Sequence, residues 1–397
     1  MHAPGRPPSA RLPCAPPGWL PGLAVLAHEF NGPPFTIGIE EELMLIDAES
    51  LDLAQEVEAI LAAVPGDIPG YVKPELMKSV LEVATKPCED VATAGDQLRT
   101  LRLEVARIAE ERGLLIGAGG THPFARWEEQ EIVDRPRYKQ LVDDLGWVAR
   151  QELIFGTHVH VAIEGADKAI YVADGVRRYL PLLLALSSNS PFWRGEDTGM
   201  MSARTPVFRA FPRNGIPPHY GTWEIYSRRV ELMMESGAIE DYTYLWWDVR
   251  PHPNLGTVET RVFDQQTRVE HTVALAALTL ALCYRLSQLF DDGEPLVETP
   301  TELVDDNKVR AALRGLEGEL VDFPRTRQRP AVEMVRHLLG ELGGCAAELG
   351  CGDELAGIED LIANGTGARR QHEAYQRDGD VRAIVRELAE RSRPDAP

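Results

Sequence analysis

The sequence has few cysteines, and none of them follows the spacing of a disulfide framework or a structural zinc site. Five occur in 397 residues, at Cys14, Cys88, Cys283, Cys345 and Cys351. Disulfide scaffolds use dense, even-numbered cysteines, and structural zinc sites use closely paired ligand dyads. Since neither pattern is present, we expect the chain to work in the reducing cytoplasm.

Positive charge is also scarce. The chain has 41 Lys and Arg against 62 Asp and Glu, so its formal net charge is -21. The acidic residues are spread along the chain, which would repel a nucleic acid, and we expect no nucleic-acid partner. A polyphosphate ligand would meet the same repulsion unless divalent cations and a few arginines reversed the charge locally.

No apolar run is long enough to predict a membrane segment. The longest, Val273 to Tyr284, is too short to span a bilayer and is followed by Arg285, so it is expected to form a buried helix. Residues 1–34 are rich in proline and are predicted to be a disordered extension. A secretory signal is the less favoured alternative, because Pro21 and Gly22 interrupt its apolar part.

The sequence lacks both common phosphate-binding fingerprints, GxGxxG and GxxxxGK[ST]. Residues 35–392 are predicted to form a single catalytic domain whose part from about 293 to 392 is helical. Strands joined irregularly through helices favour an α+β fold with a curved, mostly antiparallel sheet. The long polar segment from Ser187 to Pro212 is expected to be a functional loop. Helices are predicted at Ala54–Ala63, Val91–Arg112, Lys168–Leu186 and Trp223–Ser236.

Three consecutive glutamates interrupt an apolar strand that begins near Phe35. Because side chains alternate in a strand, Glu40 and Glu42 share one face, about 7 Å apart, and Glu41 points the other way. Ionised carboxylates in a half-buried sheet are costly unless they are paired or bound to metal. The segment therefore predicts two anchors for hard cations, and the alternative is an exposed edge strand with solvated acids. The role of Glu41 is left open.

Two further strands carry candidate ligands. His158 and His160 lie on one face of the segment GTHVHV, although a His-x-His pair is weak support for a metal site and suits a buried core equally well. Glu259 and Arg261 lie side by side in GTVETRVFD. An intrastrand salt bridge is the default interpretation of such a pair, and the alternative is a cation ligand next to a phosphate-binding guanidinium.

Glu75 and Glu82 are two further candidate carboxylate ligands. Their odd spacing prevents them from sharing a face of one regular strand, but a helix or a bulge would bring them together. For Glu75 alone a surface position is the favoured interpretation, whereas Glu82 lies between apolar residues. Many carboxylates, one or two imidazoles and no cysteine are typical of magnesium or manganese sites rather than structural zinc.

Nine ordered blocks between about Phe35 and Asp292 resemble the bacterial carboxylate-amine ligases (YbdK-type), the type 2 glutamate-cysteine ligase family. They are GIEEELMLID, ELMKSVLEVAT, GTHP, RY at 137–138, GTHVHV, LPLLLALSSNSPFWRGEDTG, SAR, WWDVRP and GTVETRVFD. That family is similar in fold to glutamine synthetase, whose curved sheet forms a half-barrel. The resemblance implies an ATP-dependent ligase and leaves open whether the chain forms a homodimer.

The resemblance also implies roles for individual residues. One Mg²⁺ or Mn²⁺ ion would be held by Glu40, His158 and Glu259, and a second, nearer the accepting carboxylate, by Glu42, Glu75 and Glu82. Arg261 would steady the transferred phosphoryl group. The remaining candidates for ATP or substrate contacts are Arg204, Arg250 and His160.

The resemblance implies a reaction in which a carboxylate, that of glutamate, is activated as an acyl phosphate, which an amine such as cysteine then attacks. ATP and small amino acids would be the partners. A two-metal hydrolase could use the same acids and histidines, but the excess of Glu over His ligands counts against it. A catalytically inactive nucleotide-binding relative is the other alternative, although it would be expected to have lost ligands.

Overall fold

The computed structural model describes residues 25–323 and 325–394, so most of the predicted extension lies outside the described residues. The described part of that extension, residues 25–34, was predicted to be disordered but contains packed side chains. Phe30 is 2% exposed and packs edge-on against Trp223 with ring centroids 5.6 Å apart. The backbone N–H of Glu29 donates to the carbonyl of Pro253 at 2.8 Å. Packing therefore begins before Phe35, because an aromatic anchor precedes the first strand.

Thirteen strands are present in the described residues. They are β1 (Ile37–Asp47), β2 (Gly70–Pro74), β3 (Val80–Thr85), β4 (Leu114–Gly117), β5 (Gly156–Ala162), β6 (Phe192–Trp193), β7 (Glu196–Asp197), β8 (Asn214–Gly215), β9 (Trp246–Trp247), β10 (Val249–His252), β11 (Thr257–Asp264), β12 (Glu319–Asp322) and β13 (Arg327–Pro330).

Seven of these strands form one open sheet in the order β10-β11-β5-β1-β3-β2, with β4 paired to β1 off this path. Every pairing within it is antiparallel. A register shift between Thr260 and Phe263 breaks the ladder of β11 with β5, and bulges of this kind bend a strand. The predicted α+β class with a mostly antiparallel sheet is confirmed.

Fifteen α-helices accompany the strands in the same residues. They are α1 (Val57–Leu61), α2 (Val91–Glu110), α3 (Pro136–Leu145), α4 (Trp147–Arg150), α5 (Ala166–Val176), α6 (Leu180–Ser187), α7 (Arg204–Phe208), α8 (Trp223–Glu235), α9 (Val269–Asp291), α10 (Thr301–Arg314), α11 (Ala331–Glu348), α12 (Gly352–Ala356), α13 (Ile358–Asn364), α14 (Gly367–Asp378) and α15 (Val381–Ser392).

Helix α9 is longer than the apolar run that predicted it. Its 23 residues are long and apolar enough to cross a membrane by length and composition, so the argument from a short run was wrong. The helix instead packs against α2, α5, α11 and α12, and 67% of its most apolar window is buried inside the protein. It is the central helix of the larger hydrophobic core.

The two faces of β1 meet different surroundings, as the alternation predicted. Ile37, Ile39, Leu43 and Leu45 belong to the larger core, which the helices build. On the opposite face Met44 and Ile46 belong to a smaller core that includes side chains of α3, α4 and α7. Glu40 and Glu42 precede them on that second face. The site therefore lies between the sheet and the smaller core.

Several predicted elements differ in detail. The predicted helix at Lys168–Leu186 is divided into α5 and α6 by a short 3-10 turn at Arg177–Tyr179. The long loop after Ser187 contains β6, β7 and α7. Strands β12 and β13 pair with each other inside the part from about 293 to 392 that was predicted to be helical.

Candidate active site

A cavity of about 370 Å³ opens over the polar face of the central strands. Eight of the ten predicted site residues line it, namely Glu40, Glu42, Glu75, Glu82, His158, Arg204, Arg250 and Arg261. The other two, Glu259 and His160, are buried beside them. A larger cleft of about 920 Å³ near the end of α15 contains none of the ten. Residues from distant parts of the chain thus converge on one place.

Strand register brings the first predicted ligand group together. Glu40 is paired with His158 across β1 and β5, and its carboxylate lies 3.1 Å from the Nδ1 atom of that ring. Glu259 comes from β11, on the other side of β5. One ligand atom from each of the three residues lies within 4.8 Å of the others, a spacing that could hold a metal ion. Two carboxylates and one imidazole suit a magnesium or manganese ion.

The second predicted group meets at a hairpin rather than on one element. Glu42 is directly opposite Glu82 in the pairing of β1 with β3. Glu75 follows β2, and its backbone N–H reaches the carbonyl of Val80 in β3 at 3.5 Å. Both the helix and the bulge considered for Glu75 and Glu82 were therefore wrong, because a turn separates the two residues. Among the described residues this group does not meet the 4.8 Å spacing of the first.

The second group carries more negative charge than its surroundings neutralise. Burial raises the pKa of Glu42 to about 7, against the opposing effect of the Arg204 guanidinium. Burial and the neighbouring Glu82 raise the pKa of Glu75 well above its usual value. Burial and Glu40 raise the pKa of Glu82, although Lys73 opposes this through a 2.9 Å ion pair. Protons or a cation are needed to hold these acids together.

Among the acids of the site, Glu259 is the one whose negative charge is neutralised most strongly by neighbouring arginines. Its carboxylate accepts hydrogen bonds from Arg250 and from Arg261, so the intrastrand salt bridge considered for Glu259 and Arg261 is present. Burial would raise its pKa, but these two guanidinium groups hold the pKa well below its usual range. Glu259 is therefore ionised, and a cation ligand role would have to coexist with these ion pairs.

The remaining predicted contacts differ in how many donors they leave for a ligand. Arg250 also donates to the carbonyls of Thr243 and Leu245, each at 2.9 Å, so most of its donors are used internally. The Nδ1 atom of His160 bonds to the hydroxyl of Thr257, while its Nε2 atom is buried without a partner among the described residues. That orphaned nitrogen lies 3.8 Å from oxygens of Glu40 and Glu259.

The long loop after α6 is held over the sheet by one buried acid, which the sequence reasoning missed. Asp264, at the end of β11, accepts hydrogen bonds from the hydroxyls of Ser190 and Ser202 and from the backbone N–H of Asn189. These bonds place Arg204, at the start of α7, against the cavity. The SSNS run followed by SAR was the available signal, since clustered hydroxyls serve a buried carboxylate well.

Glu152 is a second residue that the sequence reasoning missed. It precedes β5, lines the cavity and forms no side-chain hydrogen bond in the described residues. Burial raises its pKa to about 8, against the opposing effect of Arg204. No local sequence pattern predicts a site role for Glu152, because it lies outside the alternating part of the strand.

Glu41 has a structural place on the opposite face. Its carboxylate is 0% exposed and receives two hydrogen bonds of 2.7 Å from the Arg102 guanidinium of α2. The His122 ring of the GTHP segment is also structural. It bonds to the carbonyl of Leu51 and accepts the N–H of Ala125, so it binds two loops to each other.

Comparison with known proteins points to one family. The family described as Glutamate-cysteine ligase family 2 matches residues 36–387. Two proteins of Rubrobacter xylanophilus, provisionally named glutamate–cysteine ligase 2-1 and 2-3, are 42% and 44% identical over 91% and 90% of this chain and 95% and 97% of theirs. A protein of Solibacter usitatus, provisionally named glutamate–cysteine ligase 2, is 39% identical over 89% of this chain and 92% of its own.

Solved structures share the fold at low sequence identity. A glutamate–cysteine ligase of Francisella tularensis, solved in complex with AMP, has a TM-score of 0.66 and 13% identity, covering 93% of this chain and 91% of its own. A bifunctional glutathione synthetase of Pasteurella multocida has a TM-score of 0.64 and 16% identity over 91% of this chain. The match spans 52% of that longer protein.

Proposed function

Since this chain belongs to glutamate-cysteine ligase family 2 and is an ATP-dependent ligase, we propose that it joins the γ-carboxylate of glutamate to an amine, with cysteine as the representative acceptor. The observation that carries the proposal is the convergence of Glu40, His158 and Glu259 from three strands beside a second group of acids and three of the predicted arginines. That arrangement would bind cations. Without them the net negative charge of the chain would repel ATP.

The residues of the site fit divalent cations. Glu40, His158 and Glu259 would hold one ion and Glu42, Glu75 and Glu82 the other. Bound Mg²⁺ or Mn²⁺ would neutralise the phosphate oxygens of ATP and the charge that develops during transfer. The raised pKa of Glu42 and of Glu75 supports a cation at the second group, because a positive charge there would favour their ionised forms.

Arg261 is proposed to bind the phosphoryl group in transfer. Its guanidinium lines the cavity and is fixed by Glu259, and a planar fork suits phosphate oxygens. No protein nucleophile is needed, because glutamate itself attacks the terminal phosphate and the amine then displaces phosphate from the acyl phosphate. The contribution of the protein is to position the reactants and to neutralise charge.

The compartment is proposed to be the cytoplasm. Four cysteines lie among the described residues, and Cys88, Cys283, Cys345 and Cys351 are all buried free thiols. Burial raises the pKa of Cys283 to about 12, which keeps that thiol protonated and unreactive. Free thiols of this kind support a reducing environment.

One incubation tests the proposed activity. The purified protein is mixed with Mg²⁺, ATP and glutamate, the amine is varied, and ADP release is followed together with the mass of any new amide. We expect ADP and amide to form in equal amounts, and only when both a carboxylate and an amine are present. Nucleotide turnover that needs no amine would indicate the two-metal hydrolase instead, and no turnover with any pair would contradict the ligase.

A further inference from the structure

One carboxylate in the cavity has neither a proposed cation role nor a hydrogen-bond partner. Glu152 lines the cavity and makes no side-chain hydrogen bond in the described residues, and its Oε2 atom is buried there without a donor. Buried polar groups without partners are rare, and each one calls for an explanation. Because this carboxylate lies at a cavity wall, it is available to a substrate.

The backbone around Glu152 is held in place on the link between α4 and β5. The residues that follow it, Leu153 and Phe155, are both 0% exposed. Between them Ile154, which also lines the cavity, forms a β-bridge with Thr121. The carboxylate therefore starts from a fixed main chain rather than from an open loop.

The proposed reaction needs a proton acceptor that the two cation sites do not provide. The pKa of an alkylamine is about 10 in water, so at neutral pH the acceptor is mostly ammonium and has no electron pair for attack on the acyl phosphate. Carboxylates that hold a cation are weak bases, since the positive charge favours their ionised forms. A group outside the cation sites must take the proton.

Apart from the arginines, two other titratable side chains line the cavity without a proposed cation role, and both act as donors. Burial would lower the pKa of Lys73, but its 2.9 Å ion pair with Glu82 raises it. Burial raises the pKa of Tyr138, whose hydroxyl donates to the carbonyl of Pro74 at 2.8 Å. Among the described residues that line the cavity, Glu152 is left as the acceptor.

We propose that Glu152 is the general base that takes a proton from the acceptor ammonium as the amine attacks the acyl phosphate. The proposal rests on the proposed ligase function and adds a catalytic residue to it. The ammonium gives one proton to the Glu152 carboxylate, and the freed electron pair forms the C–N bond while the C–O bond to phosphate breaks. The phosphate leaves with the electron pair of that bond and takes the second N–H proton. Glu152 returns its proton to water when the products leave.

The surroundings give Glu152 a basicity suited to this role. Burial raises its pKa to about 8, the Arg204 guanidinium opposes the rise, and the Glu42 carboxylate adds to it. The guanidinium is itself fixed, because a Cβ atom at Gly156 would lie 2.5 Å from one of its terminal nitrogens. A general base works best when its pKa is near the working pH. Glu152 is thus a stronger base than a surface glutamate and is still partly ionised near neutral pH.

Two other roles for Glu152 give different kinetics. If its charge only attracted the ammonium, its loss would raise the KM for the amine and leave kcat at saturation unchanged. If it only supported the fold of the cavity, its loss would slow every acceptor alike. A general base is needed for an ammonium and is not needed for hydroxylamine, which is largely unprotonated at neutral pH.

The test compares the two kinds of acceptor in the variant Glu152→Gln. L-cysteine, L-alanine and ethylamine are tried with the wild-type protein, and the one with the highest kcat is paired with hydroxylamine, whose product is a hydroxamate. We expect Glu152→Gln to lower kcat with the chosen amine about 100-fold or more, since general base catalysis contributes factors of this size. With hydroxylamine kcat should change by less than about 5-fold, which also shows that the variant is folded.

The pH dependence of the wild-type protein gives a second measurement that needs no variant. The ratio of kcat with the chosen amine to kcat with hydroxylamine removes the titration of groups that affect both acceptors. As the pH falls below the pKa of Glu152, the carboxyl becomes protonated and the ratio should fall about tenfold for each pH unit. In Glu152→Gln that step should be absent, and the ratio should instead keep rising toward about pH 10 with the free amine.

The control is Asp143→Asn, which removes one exposed carboxylate of α3 that forms no hydrogen bond or ion pair in the described residues. Its kinetic constants should match the wild type. The proposal would be overturned by equal losses with both acceptors, by a raised KM with unchanged kcat, or by a Glu152→Gln variant as active as the wild type. These three results leave the ligase function of the wild type standing. Absence of ADP release by the wild type with every acceptor, hydroxylamine included, would remove the ligase function and this proposal with it.

Discussion

Replacing Glu40 by glutamine is expected to lower ligase turnover by about 1000-fold. Glu40 is proposed to share a cation with His158 and Glu259, and glutamine has nearly the same size but a neutral, weaker oxygen ligand. A metal ion contributes several kcal/mol of charge stabilisation in such reactions, and roughly 1.4 kcal/mol corresponds to a tenfold change in rate. Initial rates of ADP release at saturating substrates measure the effect.

Glu40 is the better choice for this test because its loss should spare the fold. Its side chain is 24% exposed, and its one side-chain hydrogen bond among the described residues is with the His158 ring. Glu259, by contrast, is 1% exposed and compensates two buried guanidinium groups, so its replacement would confound folding with catalysis. The control is Glu49→Gln, an exposed position just after β1, which should leave the rate unchanged. Equal rates for the Glu40 variant and the wild type would contradict the proposed cation site.

The largest expected effect on stability is at Arg102, on the opposite face of the same strand. Arg102→Met should lower the free energy of unfolding by about 3–5 kcal/mol, because the buried Glu41 carboxylate then keeps a single donor in the described part of the chain, the hydroxyl of Thr272. The carbonyls of Gln266, Thr267 and Ser392 would lose a donor as well. Urea unfolding followed by circular dichroism measures the loss.

A matched arginine on the same helix provides the control. Arg99 of α2 has a side chain that is 32% exposed and pairs with Asp96 and Glu270 at the surface, so Arg99→Met should cost about 1 kcal/mol or less. The double variant Glu41→Leu with Arg102→Met should lose less than the sum of the two single variants, because no charge is then left unpaired. If Arg99→Met and Arg102→Met lowered the free energy of unfolding equally, the buried ion pair of Glu41 with Arg102 would have no special role in stability.

Strand alternation predicted the part of the site that depends on local geometry. The period of two in β1 separates Glu40 and Glu42 from Glu41, and the structure has this division. The same reasoning placed His158 and His160 on one face of β5. A sequence carries this information because the direction of each side chain depends only on its position in the strand.

Contacts that depend on turns and loops were not predictable in the same way. Glu75 reaches Glu82 through the tight connection between β2 and β3, whereas the segment had no clear turn signal. The position of Glu152 depends on how distant elements pack. The same is true of the buried ion pair between Asp248 and Lys308, two residues that are 60 positions apart in the chain. No periodicity within one segment reports such contacts, so only the folded chain shows them.

We propose that these acids hold two divalent cations next to the phosphates of ATP. Crystals grown with Mn²⁺ and a non-hydrolysable ATP analogue test it directly, because the anomalous signal of manganese locates each ion. We predict one ion bound by Glu40, His158 and Glu259 and a second bound by Glu42, Glu75 and Glu82, both next to phosphate oxygens. Nucleotide and manganese bound elsewhere, with these six side chains making no contact to either, would contradict the two proposed cation sites.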